Sequence, residues 1–304
     1  MRMTMTTSSL NRRQFFAGTA AGLVVMKSAS DAADRPAGKM RKAACIGVFP
    51  RDIPVLEKFR MAKRAGFEGI EPNTLYTQAE VDEYRKAAES TGIKIHSIMN
   101  SDHWRYPLTD NDPEVVKKCV EGIRTSLQNA HALGADAVLL VPGIVTPDVR
   151  YAQVYERSQQ QIKELLGFAQ DLGVVIAIEN VSNRFLLSPL EFARYVEEFK
   201  SPWVKAYFDI GNLGSSGYPQ DWIRTVGPQL LKVHIKRFEP GVDHPKFDPK
   251  DRRTQGIDWA AVRQALADVN YQGWITAEVR SGDEAYVTEV SRRMDRFLAG
   301  ESPV

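Results

Sequence analysis

The run Val174-Val175-Ile176-Ala177-Ile178 is apolar and rich in β-branched residues, and it ends in Glu179-Asn180. A short strand with no polar face is the pattern of a parallel sheet covered by helices on both sides. An ionised Glu at its end needs a partner. The same arrangement recurs three times. Trp203-Val204-Lys205-Ala206-Tyr207-Phe208 ends in Asp209, Leu230-Leu231-Lys232-Val233 in His234, and Trp274-Ile275-Thr276-Ala277 in Glu278. Four strand ends thus offer three carboxylates and one imidazole, a donor set suited to one divalent ion such as Mn2+, Mg2+, Co2+ or Zn2+.

The rest of the chain supplies the frame. Strands are expected at Ala44–Phe49, Phe67–Glu71, Ile93–Met99 and Ala135–Val141. Amphipathic helices are expected over Val55–Arg64, Gln78–Ser90, Pro113–Leu133, Tyr151–Leu172, Pro189–Phe199, Pro219–Val226, Trp259–Val269 and Glu284–Leu298. Gly66 and Gly92 stand as stop signals, and Pro113 suits a first helical position. Eight strand–helix units without interruption describe an α/β chain folded as a (β/α)8 TIM barrel. The competing open, doubly wound sheet would carry a glycine-rich first turn, and Gly47-Val48-Phe49-Pro50 has no G-x-G-x-x-G. In a barrel, strand ends far apart in sequence share one mouth. Glu179, Asp209, His234 and Glu278 lie too far apart for a local metal-binding loop and meet only if their strands are neighbours.

The first residues differ from the remainder. Asn11-Arg12-Arg13-Gln14-Phe15-Phe16 and the small, apolar run Ala17–Met26 read as a twin-arginine export signal over 1–32, too short to remain as a membrane anchor. A linker is expected at 33–42 and one barrel domain at 43–304. The bland alternative for the leader is a disordered basic tail. The whole chain carries 40 Lys and Arg against 38 Asp and Glu. Removing residues 1–32 takes away Arg2, Arg12, Arg13 and Lys27 but only one acid, Asp31, so the remainder has no basic excess and nucleic acid is not an expected partner. A small-molecule sugar is, and association of identical copies is left open. Cys45 and Cys119 are read as buried thiols or a disulfide, with no C-x-x-C pair for zinc or redox chemistry.

Taken singly, an acid at a strand end is more often solvated or a helix cap, and a lone His is usually structural. Four metal-competent residues on four successive strand ends point to one site. Around it, Glu71 at the end of the second strand is read either as orienting a ligand or as an ion pair inside the barrel. His103 and Arg105, in the loop after the third strand, are candidates for substrate hydroxyls or a phosphate, against a mobile polar loop. Asn180, Asn183 and Asn212 could donate to substrate oxygens, and Lys236 either faces the mouth or pairs with an acid. His96 is read as core, and Trp104, Phe185 and Trp222 as sugar-stacking candidates or as lids on the core.

Several segments carry a resemblance: Ile178-Glu179-Asn180, Tyr207-Phe208-Asp209-Ile210-Gly211-Asn212, Lys232-Val233-His234-Ile235-Lys236, Gly256-Ile257-Asp258-Trp259 and Gly273-Trp274-Ile275-Thr276-Ala277-Glu278. They resemble the core motifs of the xylose-isomerase-like barrel superfamily, in its sugar (phosphate) isomerase/epimerase branch. Ser101-Asp102-His103-Trp104-Arg105-Tyr106-Pro107-Leu108 and the Asn at 212 are more similar to L-ribulose-5-phosphate (L-xylulose-5-phosphate) 3-epimerases than to D-tagatose 3-epimerases. The resemblance implies that Glu179, Asp209, His234 and Glu278 hold one divalent ion that stabilises an enediolate, with Glu179 and Glu278 moving protons on opposite faces of a ketose. The chain departs from the pattern at Arg237, where relatives have Asp, over Arg252-Arg253-Thr254-Gln255-Gly256, where they have a Gly-x-Gly turn, and in a longer insertion spanning Glu239–Gln255. Export would remove the protein from cytoplasmic sugar phosphates, which favours a free ketose or keto-sugar. The alternatives are a lyase or dehydratase acting on a 3-keto-glycoside or inositol-type substrate, and a non-catalytic sugar-binding barrel. A DNA-repair site of the three-metal kind would need more histidines than the five present.

Overall fold

The computed structural model describes residues 40–213, 216–250 and 256–304. The expected export signal lies outside them, as do most of the expected linker and Asp251 to Gln255 of the insertion. Nine strands are present among the described residues: β1 (Arg41–Cys45), β2 (Gly69–Glu71), β3 (Lys94–Ile95), β4 (Ile98–Met99), β5 (Ala137–Leu140), β6 (Val175–Glu179), β7 (Val204–Asp209), β8 (Leu230–Ile235) and β9 (Trp274–Ala277). All pair in parallel, in the order β3-β2-β1-β9-β8-β7-β6-β5-β4. The two ends of that order are separated only by His96 and Ser97, so the sheet closes on itself through one stretch of chain, giving the eight-position barrel expected of eight strand–helix units.

Two differences from the expected strands have local causes. The third strand breaks at His96-Ser97, where both side chains are drawn into buried polar contacts: His96 Nε2 lies 3.1 Å from Thr276 Oγ1, and the Ser97 hydroxyl donates to Glu71. The first strand begins at Arg41 because its register is set by β9, with Arg41 opposite Trp274 and Ala44 opposite Ala277. The apolar run continues beyond it only because Ile46 and Val48, in a short 3-10 turn, still point into the core.

Helices α1 (Val55–Ala65), α2 (Gln78–Thr91), α3 (Pro113–Leu133), α4 (Tyr151–Leu172), α5 (Pro189–Glu197), α6 (Pro219–Val226), α7 (Trp259–Asp268) and α8 (Glu284–Ala299) ring the barrel. The first stops at Gly66, whose φ of 85° a residue with a Cβ adopts at a cost. The second opens on a reciprocal cap in which Thr77 and Glu80 satisfy each other's backbone N–H groups. As expected, Pro113 is the first residue of α3, with the Asp112 side chain accepting from Glu114 N.

Strand alternation divides the core. Ile176, Ile178, Ala206, Phe208, Val233, Ile235, Ile275 and Ala277 face the helices and are fully buried. Burying each of the larger side chains contributes roughly 1.5–3 kcal/mol. Between them, Ala137, Leu139, Ala177 and Tyr207 form a separate apolar plug within the barrel, and polar side chains lie beyond it. Between β7 and β8 the register shifts: Ala206 pairs with Leu230 but Tyr207 with Lys232, which skips Leu231 and brings Asp209 directly opposite His234. No helix among the described residues is long and apolar enough to cross a membrane.

Candidate metal centre and active site

Neighbouring strands deliver the four strand-end residues to one place. Potential donor atoms of Glu179, Asp209, His234 and Glu278 all lie within 4.8 Å of one another. The centre of the group is His234 Nδ1, which is 3.2 Å from Glu179 Oε1, 3.6 Å from Glu278 Oε2 and 3.9 Å from Asp209 Oδ2. Asp209 and His234 are wholly buried and Glu179 nearly so, whereas the Glu278 side chain keeps 32% of its surface exposed. The cluster is therefore closed from below and open on the Glu278 side.

Below it, the other ring nitrogen is fixed. His234 Nε2 lies 2.7 Å from Glu71 Oε2, and Glu71 also accepts from the Tyr207 hydroxyl at 3.0 Å, from Ser97 Oγ and from the Cys45 thiol at 3.4 Å. Glu71 is fully buried, and burial alone would raise its carboxyl. His234 and the hydroxyl donors outweigh that and hold it below the ordinary value. An ionised Glu71 holds a proton on Nε2, and Nδ1 faces the three upper carboxylates, where loss of its own proton would free it as a metal ligand. Of the two readings of Glu71 from sequence, the structure shows the ion pair inside the barrel, on His234.

Electrostatics set the two glutamates apart. Burial raises the Glu179 carboxyl above its usual range, with Glu278 and Asp209 adding to the effect and His234 opposing it. Burial would raise Glu278 as well, but His234 and Lys236 reverse the sign and hold it low. Lys236 Nζ donates to Glu278 Oε2 at 2.6 Å and lies 3.0 Å from Asp209 Oδ2.

The remaining candidates divide by location. Asn180 has both ends of its amide on the Asp209 peptide, accepting from Asp209 N at 2.7 Å and donating to Asp209 O at 2.9 Å. Asn212 donates from its side chain to Asn180 O and from its backbone to Asp209 Oδ1 at 2.8 Å. Asn183 donates to Gly143 O. These amides brace the loops that carry the acids. His103 is buried and accepts from Val141 N at 3.5 Å; burial lowers its pKa to about 4, and Glu278 opposes the shift. Arg105 is exposed, its guanidinium 5.1 Å above the Tyr106 ring, and Trp104 is 53% exposed. His96 stacks on Trp274 at 4.7 Å within the barrel, as a core residue. Both cysteines are buried free thiols. Cys45, Ser97 and Tyr207 belong to the Glu71 network without having been marked by the sequence; Tyr207, two residues before Asp209 on one strand, was recoverable from strand alternation.

The donor set fits a divalent ion. Three carboxylates converge on one imidazole nitrogen, and Asp209 Oδ2, buried without a well-aligned hydrogen bond, has the Lys236 ammonium at 3.0 Å as its compensating charge. A second group, Cys45, Glu71 and His234, is also within ligand distance. It fits less well, because the His234 Nε2–H already donates to Glu71 and burial keeps the Cys45 thiol protonated.

The profile of the xylose isomerase-like TIM barrel matches residues 59–297. The chain belongs to that family. Among relatives of this family barrel, L-ribulose-5-phosphate 3-epimerase UlaE of Salmonella paratyphi A is 28% identical over 222 residues, 67% of this chain and 77% of its own. A solved L-ribulose 3-epimerase has a TM-score of 0.71 at 17% identity, covering 86% of this chain and 95% of that one. The apo 3-keto-D-glucoside 4-epimerase YcjR of E. coli has a TM-score of 0.70 at 19% identity, covering 86% and 100%. Likeness at such identities establishes a shared fold.

Proposed function

We propose that this protein is a divalent-metal-dependent sugar isomerase or epimerase acting on a ketose or keto-sugar. The observation that carries the reading is the convergence of Glu179, Asp209, His234 and Glu278 on four consecutive strand ends. Those four residues would hold the ion. When bound, it supplies Lewis acidity that makes the C–H beside a sugar carbonyl easier to ionise. Glu278, reached from solvent, and Glu179, buried, each present a carboxylate oxygen to the site and are placed to exchange a proton with the substrate carbon from different sides. Lys236, paired with Glu278 while the ion is absent, stands at the same edge of the site. Glu71 keeps the His234 ring oriented, and Asn180 and Asn212 hold the Asp209 loop. His103 lines the mouth from the loop after β4, and Arg105 is available to a substituent extending outward.

The resemblance to 3-epimerases of L-ribulose and its 5-phosphate supports epimerisation, and the twin-arginine pattern at Asn11–Phe16 supports an unphosphorylated substrate met outside the cytoplasm. A fold relative that acts on a 3-keto-D-glucoside keeps keto-glycosides among the candidates. The test is incubation of Mn2+-loaded protein with ketoses and 3-keto-glycosides in D2O. Deuterium enters at the carbon beside the carbonyl, and Glu179→Gln and Glu278→Gln abolish it. Ligand binding with neither exchange nor turnover contradicts the enzymatic reading, and loss of a substituent in place of inversion makes the enzyme a lyase.

A further inference from the structure

Lys236 is the only cation with an ion pair to the upper carboxylates among the described residues other than His234 itself. Its ammonium lies 2.6 Å from Glu278 Oε2 and 3.0 Å from Asp209 Oδ2, on two of the four side chains assigned to the ion. The approach is built into the neighbouring strand. A Cβ on Gly211 would collide with Lys236 Cγ, so the glycine two residues after Asp209 leaves the passage through which the lysine reaches the acids. The lysine side chain is three-quarters buried, which limits the screening of its charge by water. We propose that Lys236 is a resident counter-cation that competes with the divalent ion for Asp209 and Glu278 and thereby sets the affinity of the site. The proposal rests on the metal reading given above.

Charge arithmetic gives the direction. With Lys236 in place, an incoming ion must displace the ammonium from two carboxylates and then lie beside a like charge. Removing the lysine lifts both penalties. Even heavily screened, repulsion between a unit charge and a divalent ion at contact range corresponds to a change in affinity on the order of tenfold or more. Damage to the site's structure acts in the opposite sense, since misplaced ligands bind an ion more weakly.

The experiment is titration of the chelator-stripped full chain with Mn2+ alone, by calorimetry, for wild type, Lys236→Met and Gly211→Ala. Circular dichroism confirms folding of each. Lys236→Met tightens Mn2+ binding roughly tenfold or more, and Gly211→Ala, which keeps the lysine but displaces it, moves affinity the same way. If Lys236→Met does not fold, Gly211→Ala decides the matter. Unchanged or weaker binding in the folded variants overturns the proposal while leaving the metal site standing. A wild type that binds no Mn2+ overturns both.

Discussion

Replacing Glu71 by Ala removes the acceptor at the base of the site, and its cost can be worked out from the contacts. The carboxylate accepts hydrogen bonds from His234 Nε2 at 2.7 Å, the Tyr207 hydroxyl at 3.0 Å and the Ser97 hydroxyl, all within a wholly buried network. Each buried donor left without a partner costs about 1–3 kcal/mol, and breaking a buried charged pair from one side typically costs about 3–5 kcal/mol. Since Ser97 and Tyr207 can rotate toward other acceptors, such as Thr276 Oγ1 at 3.4 Å from Tyr207, we expect about 3–5 kcal/mol in total. Glu71→Gln keeps the volume and one acceptor and should cost less than half of that. The second effect is on the ion: without Glu71, nothing fixes which ring nitrogen of His234 carries the proton, and affinity should fall roughly 10–100-fold. Urea unfolding in chelator isolates the first effect from ligand linkage, and Mn2+ titration reads the second. A Glu71→Ala protein within about 1 kcal/mol of wild type, with unchanged Mn2+ affinity, refutes the argument.

Two further perturbations have worked signs. The folded pKa of His103 is lowered to about 4, below its unfolded value of about 6.5, so the unfolded chain takes up a proton first as the solution is acidified. The stability tied to this residue is intact above about 6.5 and is lost as pH falls toward 4, by up to ~3 kcal/mol; His103→Asn should show a flatter decline in unfolding free energy over that window, and parallel curves would contradict this. Asn180→Ala should cost about 1–3 kcal/mol, because two buried hydrogen bonds to the Asp209 peptide disappear, and should weaken Mn2+ binding as Asp209 loosens. Unaltered unfolding midpoints would show that the brace is unimportant.

The barrel and its four strand ends were legible because both follow from one-dimensional patterns: short apolar runs alternating with amphipathic helices, each run closing on a polar residue. Glu179, Asp209, His234 and Glu278 stood out for what they are and where their strands stop. The base of the site was harder to read. Glu71 on β2 meets His234 on β8 only across the barrel interior, since β2 neighbours β1 and β3 in the sheet, and no spacing rule links those strands. Cys45 and Ser97 were silent for the same reason. Asn180 and Asn212 show the limit of residue chemistry: an amide beside a metal-competent acid suggests a substrate donor, whereas its geometry here serves the neighbouring strand's backbone. The break at His96-Ser97 was hidden inside an apolar run because it is caused by partners on β2 and β9.

The central claim is that one divalent ion sits among Glu179, Asp209, His234 and Glu278. Its most direct test is anomalous diffraction at the manganese edge from crystals grown with Mn2+. The account predicts a single strong peak bonded to the Nδ1 of His234 and to the three carboxylates, with Glu71 still on Nε2. A peak on the Cys45, Glu71 and Nε2 side of the ring, or none inside the barrel, would contradict it.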